Sequence, residues 1–157
     1  MNKKFFLYAL FLINATYALQ IEGGFNYDFD NTSLFYSVDI FPWTISRSSE
    51  GIDEWKGLML HGTYENKGFY VALLYGKAEF FNTLIKSIYI GPKFGINDYK
   101  KVGVCLKGTT YIQHVIPFSL IVDPKYDLEN QQFIWDLKCS IGIGSLKPID
   151  ELFGKGR

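Results

Sequence analysis

Two histidines, His61 and His114, and a serine near the second raise the question of chemistry first. In "HVIPFS", Ser119 follows His114 by five residues, and a base beside a hydroxyl is the start of a nucleophilic site. On a regular strand an odd spacing puts the two on opposite faces. Neither has an evident orienting acid, so no catalytic residue is assigned. The plainer reading makes His114 one polar residue on a mostly apolar strand. A second set is ionic: Asp39, Glu65, Glu79 and Asp136, with Lys86, Lys101 and Lys138. Facing one another across an interior, these would form a charge network, because buried charges need partners. Asp39, Lys101, Asp136 and Lys138 are its foremost candidates. The third set is Cys105 and Cys139. They lack zinc spacing, and neither sits in a Cys-x-x-Cys pair. A disulfide between them requires neighbouring strands. Otherwise they are two small apolar side chains. No metal-ligand spacing, phosphate loop or dinucleotide fingerprint occurs, so no metal and no cofactor is expected.

The elements that would position these groups are strands. In "FIWDLKCSIGIGSL", Phe133, Trp135, Leu137, Cys139, Ile141 and Ile143 alternate with Asp136, Lys138, Ser140, Gly142 and Gly144. Only an extended strand gives side chains that period of two. Similar segments fit 20–28, 34–43, 56–64, 69–78, 85–95, 99–106 and 110–122. Pro42 is expected to close the second, since it lacks a ladder donor. "SRSSEGIDE", Lys107–Thr109 and "DPKYDLENQ" read as loops or turns. The fold expected is all-β: an antiparallel up-and-down barrel of about eight strands, closed so that no edge is left open.

The chain opens with "MNKKFFLYALFLINATYALQ". Lys3 and Lys4, an apolar run from Phe5 to Ile13, and small residues at Thr16 and Ala18 follow the order of a secretory signal peptide. Residues 1–18 are therefore expected to be a leader, and 19–157 one barrel domain with a short tail at 147–157. The mature part has 157 − 18 = 139 residues and a formal charge of 14 − 16 = −2. Nothing in that balance suggests nucleic acid.

Two barrels fit the alternation, and they are inside-out relative to each other. A soluble barrel puts its apolar face inward, whereas a membrane barrel puts it outward against lipid. The minority face carries charges and glycines, and glycine suits a crowded interior better than open water. Tyr27, Phe41, Trp43, Trp55, Tyr64, Phe69, Tyr99, Tyr126 and Trp135 stand near strand ends, as interfacial girdles do. With the leader and segments such as "IYIGPKFGI" and "CSIGIGSL", the chain resembles the small bacterial outer-membrane β-barrels over most of Leu19–Leu146. It departs in its tail "KPIDELFGKGR", where such barrels usually end on an aromatic residue. It departs again in the polar "SRSSEGIDEW" after the second strand, and in a fourth strand that is apolar on both faces.

The resemblance implies a monomer in the outer membrane of a bacterium, with the bilayer as its partner. Its role would be structural, or would involve an extracellular partner met through loops, chiefly Asp123–Gln131. Two alternatives remain open. One is a soluble periplasmic or secreted barrel holding a small apolar ligand, although the lipocalin Gly-x-Trp signature is absent. The other is a lipid A-modifying hydrolase, because some eight-stranded barrels are lipid A deacylases. Their His and Ser sit two apart on one strand face, and "HVIPFS" departs from that pattern.

Overall fold

The computed structural model describes residues 18–28, 31–48, 53–65, 68–80, 84–96, 101–113 and 115–144. Residues 1–17 of the expected leader, the tail and His114 lie outside the described residues, and Ala18, the last residue of that leader, opens the first strand. The described segments form eight strands: β1 (Ala18–Asp28), β2 (Thr32–Ser48), β3 (Asp53–Glu65), β4 (Gly68–Phe80), β5 (Leu84–Gly95), β6 (Lys101–Ile112), β7 (Ile116–Asp127) and β8 (Gln132–Gly144). Each strand pairs antiparallel with the next, and β1 pairs with β8. The sheet is a closed up-and-down barrel, as the alternation led us to expect.

Register fixes how the strands lean. From Gln20 the pairing runs through Asp39, His61, Ala72, Lys93, Gly103, Lys125 and Ile134. The β1–β8 register, with Asp28 opposite Asp136, then leads to position 30. The stagger around the barrel is 30 − 20 = 10 residues. Such a stagger goes with strands tilted about 35–45° to the axis. A strand of twelve residues, such as β6, then rises roughly 30 Å along the axis, at about 3.3 Å per residue before tilt.

Several strands run longer than the sequence reading placed them. Pro42 does not end β2. The ladder to β3 passes from Ile40–Leu60 to Trp43–Leu58, so two residues of β2 face one of β3. That bulge absorbs the missing proline donor, and β2 continues to Ser48. Lys107–Thr109 is not a turn. It lies inside β6, with Lys107 and Thr109 buried. Likewise Asp123–Asp127 belongs to β7, and only Leu128–Gln131 turns. The Asp127 carboxylate accepts from the backbone N–H of Glu129 at 2.9 Å and of Asn130 at 3.1 Å, which tightens that turn. Every connection between strands spans two to five residues.

Alternate residues point in opposite directions. Along β8, Phe133, Trp135, Leu137, Ile141 and Ile143 are exposed, with Ile143 at 77%, while Asp136, Lys138 and Ser140 are buried. The same holds on β7, where Ile116, Phe118 and Leu120 face out and Ser119, Ile121, Asp123 and Lys125 face in. The outer surface is thus apolar and much of the interior is charged. An apolar interior patch of Phe35, Met59, Ala72, Leu74, Tyr89, Cys105 and Ile121 covers part of the β2–β7 wall. It accounts for the doubly apolar fourth strand, since Tyr70, Ala72, Leu74 and Ala78 face in while Phe69, Leu73 and Tyr75 face out.

Inward glycines let the wall curve. At Gly76 a Cβ would lie 1.9 Å from the carbonyl oxygen of Ile88 on the neighbouring strand. No side chain fits there without breaking the ladder. Gly76→Ala is expected to lower the fraction of refolded protein at least several-fold, read as the band that shifts on boiling in a detergent gel.

Candidate functional site

Among the described residues the interior holds two ionic clusters, each joining neighbouring strands to others farther round the barrel. The first lies toward the end where the β3–β4 and β7–β8 turns sit. Here Glu65 of β3, Lys93 of β5, Asp123 and Lys125 of β7, and Asp136 and Lys138 of β8 converge. Lys93 bonds Asp123 and lies 3.3 Å from Glu65. Lys125 bonds Glu65 and lies 2.5 Å from Asp136. Lys138 bonds Asp123 and lies 2.5 Å from Glu65. Three carboxylates meet three ammonium groups, so the formal charge of the cluster is zero. The Tyr70 ring sits between two of them, 4.9 Å from Lys93 Nζ and 4.7 Å from Lys125 Nζ. An aromatic face attracts each cation and keeps the two like charges apart.

The second cluster lies toward the end that carries Ala18 and Gly144. Lys107 of β6 reaches across the interior to Glu22 of β1 at 2.6 Å and to Asp39 of β2 at 2.5 Å. The other Asp39 oxygen bonds His61 Nδ1. Glu22 is buried and held by five side-chain donors. It accepts from Gln20 at 2.6 Å, Ser37 at 3.3 Å, Ser140 at 3.1 Å and Ser119, besides Lys107. Thr109 shares a hydrogen bond with Ser119 at 2.8 Å, and the Tyr111 hydroxyl donates to Gln20. Asp39, Glu22 and His61 are all 2% exposed or less. Buried charges of this kind are tolerated only with such partners.

This arrangement ties opposite walls of the barrel together across its interior. Bonds between β6 and β2, β5 and β7, and β3 and β8 cross the space through which a solute would pass. Oxygens of Glu65, Asp123 and Asp136 lie within 4.8 Å of one another, a spacing that hard cations use. Lys93, Lys125 and Lys138 already supply positive charge at those oxygens.

The residues singled out from sequence fall in several places. Asp136 and Lys138 are buried in the first cluster and Asp39 in the second. Lys101 stands at the interior rim opposite Asp127, away from both. Glu65 faces in as expected, but Glu79 and Lys86 face out, and Glu79 pairs with Lys77 at 2.7 Å. Glu22, Lys93, Lys107, Asp123 and Lys125 were missed. Three of these were hidden inside segments read as a turn or loop. The disulfide does not form: both cysteines are free, with Cys105 buried and Cys139 exposed. They point to opposite faces, and β7 separates their strands. Phe41, read as an interfacial residue, instead packs on interior Tyr89 with ring centroids 5.9 Å apart. Ser119 faces the interior and donates to Glu22, so it is not a hydroxyl presented to a lipid.

Fold and interior together define an inside-out barrel, with an apolar exterior around a charged interior. No protein family matches the sequence, and no curated protein does. A solved structure from the de novo design of transmembrane β-barrels is similar, with a TM-score of 0.41 and 10% identity, covering 81% of this chain and 94% of that one. At that score nothing about the role of this chain follows from it.

Proposed function

We propose that the chain is a monomeric outer-membrane β-barrel whose work is structural: a membrane-spanning wall locked shut by interior ion pairs. The observation that carries this reading is the distribution of side chains. Phe25, Leu34, Tyr36, Leu73, Ile90, Phe94, Leu120, Trp135 and Leu137 are among the many large apolar groups exposed on the outer face, while Glu22, Asp39, Lys107, Asp123 and Lys138 are buried. Soluble monomers rarely expose a contiguous apolar patch beyond a few hundred Å². In a bilayer that exterior is solvated by lipid tails, and a closed barrel leaves no backbone group unpaired at its edges. The rise of roughly 30 Å per strand suits the hydrocarbon layer, which is about 30 Å thick.

The leader read from residues 1–18 supports export, and export with a barrel supports the outer membrane of a bacterium. A partner outside the membrane would have to meet the short turns and their rims, among them Leu128–Gln131 beside Phe133, which is 72% exposed. Membrane fractionation tests the reading. The protein should stay with membranes until detergent is added, and the extracted protein should migrate differently before and after boiling. Recovery in a soluble fraction without detergent would overturn it.

A further inference from the structure

We propose that the outer wall of β4–β8 carries a seat for one anionic phospholipid, a reading that rests on the membrane placement above. Three glycines on the outer face make the case by contrast. At Gly23 the ring of Tyr36 covers the bare backbone, 3.5 Å from where a Cβ would be, and at Gly62 the ring of Phe69 does so at 3.7 Å. At Gly108 a Cβ would meet only the Leu120 carbonyl oxygen, at 4.0 Å. Nothing in the wall fills that notch, and nothing in the backbone demands a glycine there. A strand glycine without such a reason marks a close approach by something else.

The register places the notch in an amphipathic groove. Ile88, Gly108, Leu120 and Cys139 form one outward row across β5 to β8, and Lys86, Thr110 and Phe118 form the next row toward the end with Ala18 and Gly144. Lys86, Gly108, Thr110, Phe118, Leu120 and Cys139, with four residues of the adjoining interior rows, line a depression of about 470 Å³, within the usual range of about 300–1,000 Å³ for ligand sites. A second, smaller depression shares Lys86 and adds Lys77 and Glu79. Lys56 stands opposite Lys77 in register. Among the described side chains the polar end thus has three lysines and one glutamate, with Lys77 held by Glu79 at 2.7 Å and Glu54 opposite Glu79 in register. Toward the middle stand Ile88 and Leu120, 50% and 51% exposed, with Phe118 in the polar row at 43%. A phosphate headgroup at Lys86, Thr110 and Lys77 would let an acyl chain run inward over Gly108 toward Cys139. The basic end then lies toward the barrel rim and the apolar end toward its middle, which is the orientation of a lipid in that leaflet.

Native mass spectrometry of the detergent-extracted protein tests this, with phosphatidylglycerol and phosphatidylcholine of the same acyl chains as probes. The wild type should retain one phosphatidylglycerol in preference to phosphatidylcholine. K77Q/K86Q should lose roughly ten-fold of that retention and with it the preference. Gly108→Leu, which has room to fold, should weaken retention of both lipids while the boiling-dependent gel shift persists. Gly108→Ala serves in its place should the larger residue fail to fold. Unchanged retention in the lysine and glycine variants overturns the proposal, as does a second copy of the chain in place of the lipid. A protein that is soluble without detergent overturns the membrane reading instead.

Discussion

Replacing Lys107 by Met is expected to unfold the barrel or bring it close to unfolding. The ammonium group is 1% exposed and is shared by Glu22 and Asp39. Methionine fills a similar volume but leaves two buried carboxylates with no cation reaching across to them. Removing one partner of a buried ion pair typically costs about 3–5 kcal/mol, because the remaining charge is uncompensated. That is a large part of the roughly 5–15 kcal/mol that separates a typical folded domain from its unfolded chain. The measurement is urea-induced unfolding of the detergent-solubilised protein, followed by the boiling-dependent gel shift. K107M/D39N should regain much of the loss. The amide removes one orphan charge, and Glu22 still accepts from Gln20, Ser37, Ser119 and Ser140. A K107M protein within about 0.5 kcal/mol of wild type would mean that the cross-interior contacts do not hold the barrel.

The second large effect is expected on the outside. Leu73→Arg places a charge in the middle of β4 on a side chain that is 46% exposed. On a soluble protein an exposed substitution of this kind moves stability by about ±0.5 kcal/mol. In a bilayer, arginine near the midplane costs about 2–4 kcal/mol, falling to about 0–1 near the interface. Phe69→Arg, four residues nearer the turn on the same face, is the matched control. Unfolding titrations in lipid vesicles should show a clear depth dependence between the two. Equal small effects would argue that water, and not lipid, covers the wall.

How much of this was legible in the sequence depended on which face a residue served. β8 could be read because its outward residues are large and its inward ones small or charged. β6 and β7 were misread for a related reason. An interior built from Lys107, Thr109, Asp123 and Lys125 uses the same residue types that signal turns in a soluble protein. Pro124 adds to the turn signal in β7, as Pro42 does in β2. In the fold one sits in a bulge, and the other lies where the β6–β7 pairing skips from Gly103–Lys125 to Leu106–Val122. The ionic clusters were half visible. Asp136 and Lys138 stood out by alternation, whereas Glu22 is followed by two glycines and Lys93 by an aromatic residue that drew attention to the outer face. Which carboxylate meets which lysine is set by the ten-residue stagger. No local pattern encodes that.

The β1–β8 ladder has a consequence in time. Every other ladder joins strands linked by two to five residues, so each can zip as a hairpin. The last one brings Gly24 beside Cys139, 139 − 24 = 115 residues apart. Closing a loop of that length costs about 3 kcal/mol more chain entropy than closing a four-residue turn. It is also the ladder where Gly24 and Gly142 each lie against the opposing backbone, with 2.0 Å between a would-be Cβ and a carbonyl oxygen. The strand pair with the longest loop to close therefore meets at glycines that let the two backbones approach. Until it does, the curled sheet presents two unpaired edges, and assembly ends when these find each other.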